Sequence, residues 1–423
     1  MGSILVLKNI QDKDERHKFS IFGIISNLKN RILDQKSKQY MRKLLHSIKV
    51  GVALVLVSLL FLLDPLYEQV GENAMWAIMT VLVIFEFYAG ATLGKGLNRG
   101  LGTILGGALG CLAATFARKV GGMGKGNAVF IGSSVFIIGA SVTYFRLVPS
   151  IKKRYDYGAM IFILTFNLVI VSGLRAQKVL ELARDRLSTI GMGFAVCIFI
   201  NLLVFPAWAS DELHDSTTHK FQLLADSIEG CLENYFRQDN ENMKDNQTSI
   251  SSGCKAVLHS KTKDETLANF AKWEPWHGKF GLHYPWTKYL QLGELLRELA
   301  TIVISLKGCL QSPKQPSSSL KQSIEEPSEA VGVTLVWSLR ELGESLRKMR
   351  RCNQQVVIVP KLKSMRLELS SIVSPTSKFG PIDNADELAI ASFVFLLTEM
   401  VEKVEELAKE IEELGEIAGF HTK

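Results

Sequence analysis

The sequence lacks the residue groupings on which most enzymes and metalloproteins depend. Its six cysteines are scattered, and none forms a C-x-x-C pair joined to a second pair or to histidines at zinc-binding spacing. No Ser-His-Asp arrangement, carboxylate pair or metal-ligand cluster stands out. These absences argue against a disulfide framework, a metal site, a cofactor and a catalytic function, so we expect a protein that is not an enzyme.

Phosphate-binding loops and proton relays are missing as well. The two Gly-Lys-Gly stretches, at 94–96 and 124–126, complete neither a dinucleotide fingerprint nor a Walker pattern. The apolar runs of the first half contain no chain of Asp, Glu or His that could pass protons across a membrane. Nucleotide-driven and proton-coupled mechanisms are therefore disfavoured, and nothing points to a nucleic-acid partner.

Charge divides the 423-residue chain into two unlike halves. Residues 1–210 carry 24 Lys and Arg against 11 Asp and Glu, whereas residues 211–423 carry 25 against 31. Mean hydropathy is +0.15 although 22% of the residues are charged, because the basic half holds nearly all of the long apolar runs. We expect two domains in different solvents, which disfavours both intrinsic disorder and an all-soluble protein.

Six apolar runs in the first half have about the 20 residues that a helix needs to cross a bilayer. They are Leu44–Leu63, Asn73–Gly94, Gly100–Ala117, Asn127–Phe145, Tyr157–Leu174 and Leu187–Trp208. Twelve Lys and Arg flank one set of run ends and seven flank the other, which places the N-terminus in the cytosol. The sequence predicts an all-α membrane protein: a cytosolic leader at 1–43, a six-helix transmembrane domain at 44–209 and a cytosolic helical domain at 210–423.

Small residues recur at four-residue spacing around the third run. They are Gly90 and Gly94, followed by Gly102, Gly106 and Gly110. Small residues at this spacing let two membrane helices approach closely, so the pattern predicts a tight helix contact.

Charged residues within or beside the apolar runs are the strongest functional candidates. Lys49 and Glu86 lie at matching depths in the first two runs, where they could form an intramembrane ion pair that fixes helix register or tempers a pore. Four basic residues at run ends, Lys95, Arg99, Arg118 and Arg175, could draw anions through a pore. Guanidinium suits a carboxylate because its planar fork donates two parallel hydrogen bonds. The alternative is that these residues are topology signals or headgroup anchors.

The acidic half has the periodicity of amphipathic helices. Five are predicted, Glu212–Arg237, Thr287–Gln311, Glu329–Arg350, Lys361–Ile372 and Asp386–Ala418, with polar linkers at 239–254 and 312–324. The last helix carries an apolar stripe at Leu397, Val401, Val404, Ala408 and Ile411. Such a stripe forms either an intramolecular core or a dimer seam, and the core is favoured.

A loop rich in aromatic residues follows the first of these helices, at 272–286. It contains Trp273-Glu274-Pro275 and Tyr284-Pro285-Trp286. So many rings need burial or a partner, so the loop is either a packing clasp or a regulatory ligand site.

Several stretches together resemble the plant aluminium-activated malate transporter family, which includes the quick-activating anion channels. They are Asn73 to Thr80, Phe85-Glu86-Phe87, Gly90 to Arg99, Tyr155 to Gly158, Ser172 to Arg175, Arg186 to Thr189, Phe205 to Trp208, Trp273 to Pro275 and Tyr284 to Trp286. The resemblance covers roughly residues 40–310. Trp276 stands where the family commonly has a second proline.

This resemblance implies a passive, homodimeric anion channel with six spans per subunit and cytosolic termini. Its permeant ions would be malate, chloride, nitrate or sulfate, and its gating would depend on voltage and on ligands such as malate. Lys95, Arg99 and Arg175 match the positions of pore cations. Val204–His214 resembles the region linked to inhibition by γ-aminobutyrate, with Phe205 as the residue to test, and Trp273, Glu274 and Pro275 are further regulatory candidates.

The same residues allow three functional interpretations. The first is the anion channel, and the plasma membrane is favoured over the vacuolar membrane as its location. A coupled carrier or exporter of carboxylic or aromatic acids would share the spans and the basic mouths. A membrane receptor or scaffold that conducts no ions, working through the helical domain, is the third.

Overall fold

The computed structural model describes residues 40–59, 62–63, 75–121, 125–172, 179–236, 243–281, 283–311, 318–351, 355–372 and 384–421. Within these residues the secondary structure is helical, apart from two isolated bridges. The chain divides into two compact units, Met1–Ala207 and Trp208–Lys423. The predicted all-α class is confirmed, and the division falls two residues before the predicted start of the second helical domain.

The first unit consists of long apolar helices. Its helices are α1 at 40–59, α2 at Met75–Ile84, α3 at Ala89–Gly121, α4 at Lys125–Leu147, α5 at Pro149–Ser172 and α6 at Val179–Leu203. Four of these described helices contain a stretch long and apolar enough to cross a membrane: Ala89–Lys119, Ala128–Leu147, Arg154–Ser172 and Arg186–Leu203. These four correspond to the third to sixth predicted spans.

The apolar surface of these helices faces outward, as a bilayer requires. Only 6% of the apolar window in Ala128–Leu147 is buried within the protein, and Phe136, on the same helix, is 75% exposed. Leu112 of α3 is likewise exposed. A continuous apolar surface of this kind is unfavourable in water and favourable in hydrocarbon, as expected of a unit that spans a membrane.

The prediction of one continuous second span at Asn73–Gly94 is wrong. Helix α2 ends at Ile84 after 10 residues, and residues 85–88 are not helical before α3 begins at Ala89. The end of the predicted span therefore belongs to the next helix. Of the first predicted span, Leu44–Leu63, the structure describes the helical part up to residue 59.

The close helix contact expected from the glycine spacing lies between α3 and α5. A Cβ atom on Gly102 would lie 2.5 Å from the backbone oxygen of Gly158, and one on Gly106 would lie 2.5 Å from that of Phe162. At Gly110 the corresponding distance to Val169 Cβ is 2.9 Å. Because real Cβ atoms do not come this close, these three positions require glycine.

The second unit is a bundle of seven helices among the described residues. They are α7 at Ala209–Phe236, α8 at Met243–Leu258, α9 at Lys261–Ala271, α10 at Trp286–Leu310, α11 at Ser318–Lys348, α12 at Gln355–Ile372 and α13 at Asn384–Ile417. Five of these overlap the predicted helices. The linker expected at 239–254 is instead mostly helix α8, and α11 begins within the linker expected at 312–324.

The apolar stripe of the last helix is intramolecular core. Leu397, Val401, Val404, Ala408 and Ile411 are all 0–2% exposed, and α13 packs against α10 and α12. This confirms the favoured interpretation of the stripe.

Candidate functional site

The non-helical residues 85–88, here called the polar break, are held by side chains from two other helices. The backbone N–H of Glu86 donates to Thr92 Oγ1 at 3.0 Å, and Asn201 Nδ2 donates to the Glu86 backbone oxygen at 3.1 Å. Asn201 also donates to Thr92 Oγ1 at 2.7 Å. Both backbone groups of Glu86 are therefore paired, and such pairing is what allows irregular backbone within a membrane domain.

The Lys49–Glu86 ion pair expected from matching depth is not the arrangement in the structure. Glu86 forms its ion pair with Lys95 of α3, because the break ends α2 just before Glu86 and brings the carboxylate beside the first turns of α3. Lys49 Nζ instead donates to the Phe205 backbone oxygen at 2.7 Å. The positive charge of Lys95 is thus offset, whereas no carboxylate of a described residue lies within ion-pair distance of Lys49.

Phe205, the candidate for regulation by γ-aminobutyrate, has an unusual backbone. Its φ is 45°, in the left-handed region that a bulky side chain rarely adopts. The ring is 72% exposed, while the carbonyl oxygen is held by Lys49. The strained turn therefore presents an aromatic ring outward and fixes the backbone beneath it.

Arg99 lies one helical turn beyond Lys95 on α3 and is buried, with 6% exposure. Its Nη1 donates to the Tyr157 hydroxyl of α5 at 3.0 Å, while its Nε–H has no acceptor among the described residues. No described carboxylate is within ion-pair distance of the guanidinium. Arg99 is thus an anchored, buried cation with an unused donor, an arrangement that is costly until an anion pairs with it.

The other predicted cations differ in their surroundings. Arg118 is exposed in the last turn of α3. It lies 19 residues after Arg99, or about 28 Å along the helix, close to the thickness of a hydrocarbon core of about 30 Å. Arg175 lies outside the described residues.

Four residues that were not predicted as site residues also belong to this region. Thr92 and Asn201 hold the polar break, and each is a polar side chain within an apolar run. The Arg186 guanidinium lies 4.2 Å from the centre of the Trp76 ring, a cation–π contact between α6 and α2. Both residues lie at ends of apolar runs that the predicted orientation places on the outer side of the membrane. The predicted topology therefore allowed this pairing to be anticipated.

The Trp273-Glu274-Pro275 loop caps the first helix of the second unit. Glu274 is 6% exposed, and its carboxylate accepts from the backbone N–H of Ala209 at 2.6 Å and of Ser210 at 3.2 Å. The Ser210 hydroxyl donates to the same carboxylate at 2.6 Å. A buried carboxylate at a helix N-terminus satisfies unpaired N–H groups and complements the helix dipole.

Nearby rings fix this loop in place. The His277 ring stacks on Trp208 with ring centres 3.7 Å apart, and its Nε2 lies 3.0 Å from Ser210 Oγ. Phe280 and Trp286 are buried behind it, while Trp276 is 76% exposed. The packing clasp expected as one alternative for the aromatic loop is therefore present, and Trp276 is a large exposed ring at its surface.

Behind the clasp, His214 and two tyrosines form a buried hydrogen-bonded chain. His214 Nδ1 lies 2.8 Å from the Tyr289 hydroxyl, which lies 3.3 Å from that of Tyr284. Burial lowers the pKa of His214 and raises the pKa of Tyr284 to about 12. A neutral His214 that carries its proton on Nε2 can donate to the Arg347 backbone oxygen, 3.4 Å away, and accept from Tyr289. Both ring nitrogens of His214 are therefore used by partners within the protein.

Comparison with known proteins assigns a family. Residues 35–379 match the family model described as aluminium activated malate transporter. Aluminum-activated malate transporter 13 of Arabidopsis thaliana is 43% identical over 350 residues, which are 81% of this chain and 64% of that protein. Number 12 of the same plant is 44% identical over 76% of this chain and 57% of its own length. Number 2 of the same plant is 37% identical over 91% of this chain and 77% of its own length. The chain thus spans less than two thirds of the first two relatives, and all three are named as transporters, not as enzymes.

Proposed function

The chain belongs to the aluminium-activated malate transporter family, and on this premise we propose that it is a passive anion channel. Its permeant ions are malate together with chloride, nitrate and sulfate, and voltage and ligands such as malate gate it. The observation that carries the proposal is Arg99, a buried guanidinium with an unused Nε–H donor and no carboxylate of a described residue beside it. Among the described residues Arg99 thus lacks the counter-charge that a permeating carboxylate would provide.

Charge balance around the polar break supports this choice of ion. The Glu86 carboxylate is used by Lys95, while Lys49 and Arg99 donate to a carbonyl oxygen and a hydroxyl group. Two cations in this part of the membrane unit are therefore uncompensated by described carboxylates. Uncompensated positive charge attracts anions and repels cations, and a guanidinium pairs well with a carboxylate.

Two cations spaced along α3 fit a path that crosses the membrane. Arg99 and Arg118 are separated by about the thickness of the hydrocarbon core. We assign Arg99 and Lys95 to one mouth, and Arg118 and Arg175 to the other. Arg186, held over Trp76, joins the second group.

Voltage clamp of cells that express the full chain tests the proposal. With malate replacing chloride on each side in turn, the reversal potential should follow the malate gradient and should not respond to proton or sodium gradients. Arg99→Gln should reduce the malate current by about tenfold or more, as expected for a lost charge-assisted contact. Arg154→Gln is the matched control, because Arg154 is an exposed cation on α5 three residues before Tyr157, the residue that Arg99 contacts.

Several outcomes would contradict the proposal. An equal loss of current in Arg99→Gln and Arg154→Gln would remove Arg99 from the path. A flux that follows a proton or sodium gradient would favour a coupled carrier. Ligand binding without any current, unchanged in Arg99→Gln, would favour a receptor or scaffold.

The ion pair in the polar break provides a test of opposite sign. Glu86→Gln should raise the anion current because it leaves Lys95 uncompensated, and Lys95→Met should lower it because it leaves the carboxylate alone. The double variant should return towards the original current. Currents that change independently in the two single variants would show that the pair does not tune the path.

Regulation is proposed at two places. Phe205 is the contact for γ-aminobutyrate, since its ring is exposed on the protein surface while its backbone oxygen accepts a hydrogen bond from Lys49. Phe205→Ala should abolish inhibition by γ-aminobutyrate and keep the malate current, whereas unchanged inhibition would exclude this residue. The loop Trp273-Glu274-Pro275 acts on gating through the cap that Glu274 forms on α7.

Assembly and location complete the proposal. The protein forms a homodimer in the plasma membrane, with its termini and its helical unit in the cytosol. Cross-linking in intact cells tests the dimer, and a fluorescent fusion distinguishes the plasma membrane from the vacuolar membrane.

A further inference from the structure

The exposed Trp276 ring is a feature of the aromatic loop that the proposed function does not use. The ring is 76% exposed, although it stands between two residues whose side chains are held by the rest of the protein. Glu274 binds the start of α7, and His277 stacks on Trp208 with ring centres 3.7 Å apart. A large ring that a fixed backbone presents outward is a candidate contact surface.

A tight turn fixes the backbone directly after Trp276. The Phe280 N–H donates to the His277 backbone oxygen at 3.1 Å. Gly278, within this turn, has a φ of 51°, which is unfavourable for most residues with a side chain. Because the loop is already ordered, it would lose little conformational entropy when it contacts a partner.

The loop also carries positive charge on both sides of the ring. Lys272 and Lys279 are exposed, and neither forms an ion pair with another described residue. Glu274 is the one carboxylate in the sequence from 272 to 286, and it is buried in the cap on α7. The exposed side chains of the loop therefore favour a partner with acidic groups.

The length of the connecting chain keeps the loop near a membrane. Helix α6 contains one of the stretches long and apolar enough to cross a bilayer and ends at Leu203, and exposed apolar side chains continue to Phe205. Trp208, on which His277 stacks, follows three residues later. Three residues extend by at most about 11 Å, so the aromatic loop is within reach of the headgroup layer that borders the hydrocarbon.

We propose that the aromatic loop binds the surface of the bilayer, with Trp276 inserted among the headgroups and Lys272 and Lys279 paired with acidic phospholipids. Tryptophan suits this layer because its ring is apolar and its indole N–H donates to polar headgroups or water. The lysine stems lie along apolar surface while their ammonium groups reach the phosphates. Each lysine near an acidic membrane surface strengthens binding by about fivefold. The contact lies outside the proposed anion path and does not depend on it.

The test uses the full chain in nanodiscs of acidic phospholipids that are brominated close to the headgroup. Bromine quenches the fluorescence of a nearby tryptophan, so the difference between the original chain and Trp276→Phe gives the quenching of Trp276 itself. Trp337→Phe gives the same quantity for a matched control, because Trp337 is a partly exposed ring of the same unit, at 36% exposure. We expect the brominated lipid to remove the Trp276 emission and to leave the Trp337 emission unchanged. Equal quenching of the two rings would overturn the proposal.

Paired variants show whether the two lysines contribute. Lys272→Gln with Lys279→Gln should lower the ratio of bound to free loop in acidic lipid by about tenfold or more, which reduces the quenching of Trp276. Zwitterionic lipid should reduce it in the same way. Lys255→Gln with Arg366→Gln removes the same charge from exposed positions of the same unit outside the loop and should leave the quenching unchanged. Equal losses in the two pairs would overturn the role of the loop lysines.

A soluble quencher distinguishes the other possible surroundings of the ring. If acrylamide quenches Trp276 and brominated lipid does not, the ring lies in water. If neither quencher acts on it, the ring is covered by protein, such as a second copy of the chain. Either result overturns the proposal of a bilayer contact.

Discussion

Glu274 is the loop residue whose loss should have the largest local effect, and the change that tests it is Glu274→Gln. The substitution keeps the shape of the side chain and removes its charge. In the structure the carboxylate accepts hydrogen bonds from two backbone N–H groups, those of Ala209 and Ser210. These amides begin α7 and have no partner within their own helix, so their protection from solvent depends on Glu274.

The expected magnitude follows from these contacts. Hydrogen bonds to a charged acceptor are worth about 1.5–3 kcal/mol each, and a negative charge at a helix N-terminus adds about 0.3–2 kcal/mol. Glutamine retains one acceptor oxygen but places an NH₂ group against the remaining donors. We therefore expect the start of α7 to be destabilised by about 3 kcal/mol, which is about a hundredfold in a local opening constant.

Hydrogen exchange measured by mass spectrometry on the full chain in detergent gives the readout. Peptides that contain Ala209 and Ser210 should exchange about a hundredfold faster in Glu274→Gln if these amides exchange through local opening. Glu344→Gln is the control, because this exposed carboxylate pairs within its own helix with Arg347 and Lys348. Unchanged exchange at the start of α7, or an equal change in the control, would refute the capping role.

Three further predictions concern the stability of the two units. Asp264→Asn should cost about 3–5 kcal/mol in the unfolding of the second unit, because it leaves buried Lys220 without its carboxylate 2.5 Å away; adding Lys220→Met should recover part of the loss in a thermal unfolding assay. Gly106→Ala should lower the stability of the first unit by about 1–3 kcal/mol, because it forces a Cβ atom against α5. Gly100→Ala, where a Cβ atom meets nothing within 4 Å, should leave the stability unchanged. Thermal stability measured by size-exclusion chromatography compares the two variants. Burial lowers the pKa of His214 in the folded state below its ordinary value of 6.5. The second unit should therefore keep its full stability above pH 6.5 and lose stability as the pH falls from 6.5 towards the pKa of the folded state, because the unfolded chain binds the proton more readily. In acid unfolding curves, His214→Gln should make this loss of stability smaller.

Local patterns predicted those parts of the fold that depend on residues close together in the chain. The four-residue glycine spacing of α3 predicted a tight contact because it places small residues on one helix face, and Gly102 and Gly106 make that contact with α5. The stripe from Leu397 to Ile411 predicted the buried face of α13 for the same reason. In both cases the period of the helix carries the information.

Parts of the fold that depend on distant residues were not predicted. Helix α8 has few apolar residues, but Cys254 and Val257 are fully buried on its inner face. Packing against α7 therefore overrides a polar sequence that favours a linker. The cap on α7 was also hidden, because Glu274 lies 65 residues after the amide of Ala209 that it binds.

The polar break shows why hydropathy identifies a membrane segment without showing whether its backbone is continuous. Residues 73–94 are apolar enough to suggest one span, yet the helix ends at Ile84 because Glu86 can pair its backbone groups elsewhere. Thr92 accepts from the Glu86 N–H, and Asn201, 109 residues after Thr92, donates to the Glu86 carbonyl oxygen. In hydrocarbon an unpaired backbone group costs several kcal/mol, so these two side chains are a condition for the break. The break in turn brings the Glu86 carboxylate to Lys95, which leaves Lys49 and Arg99 without a described counter-charge, and the proposed anion path rests on these two cations.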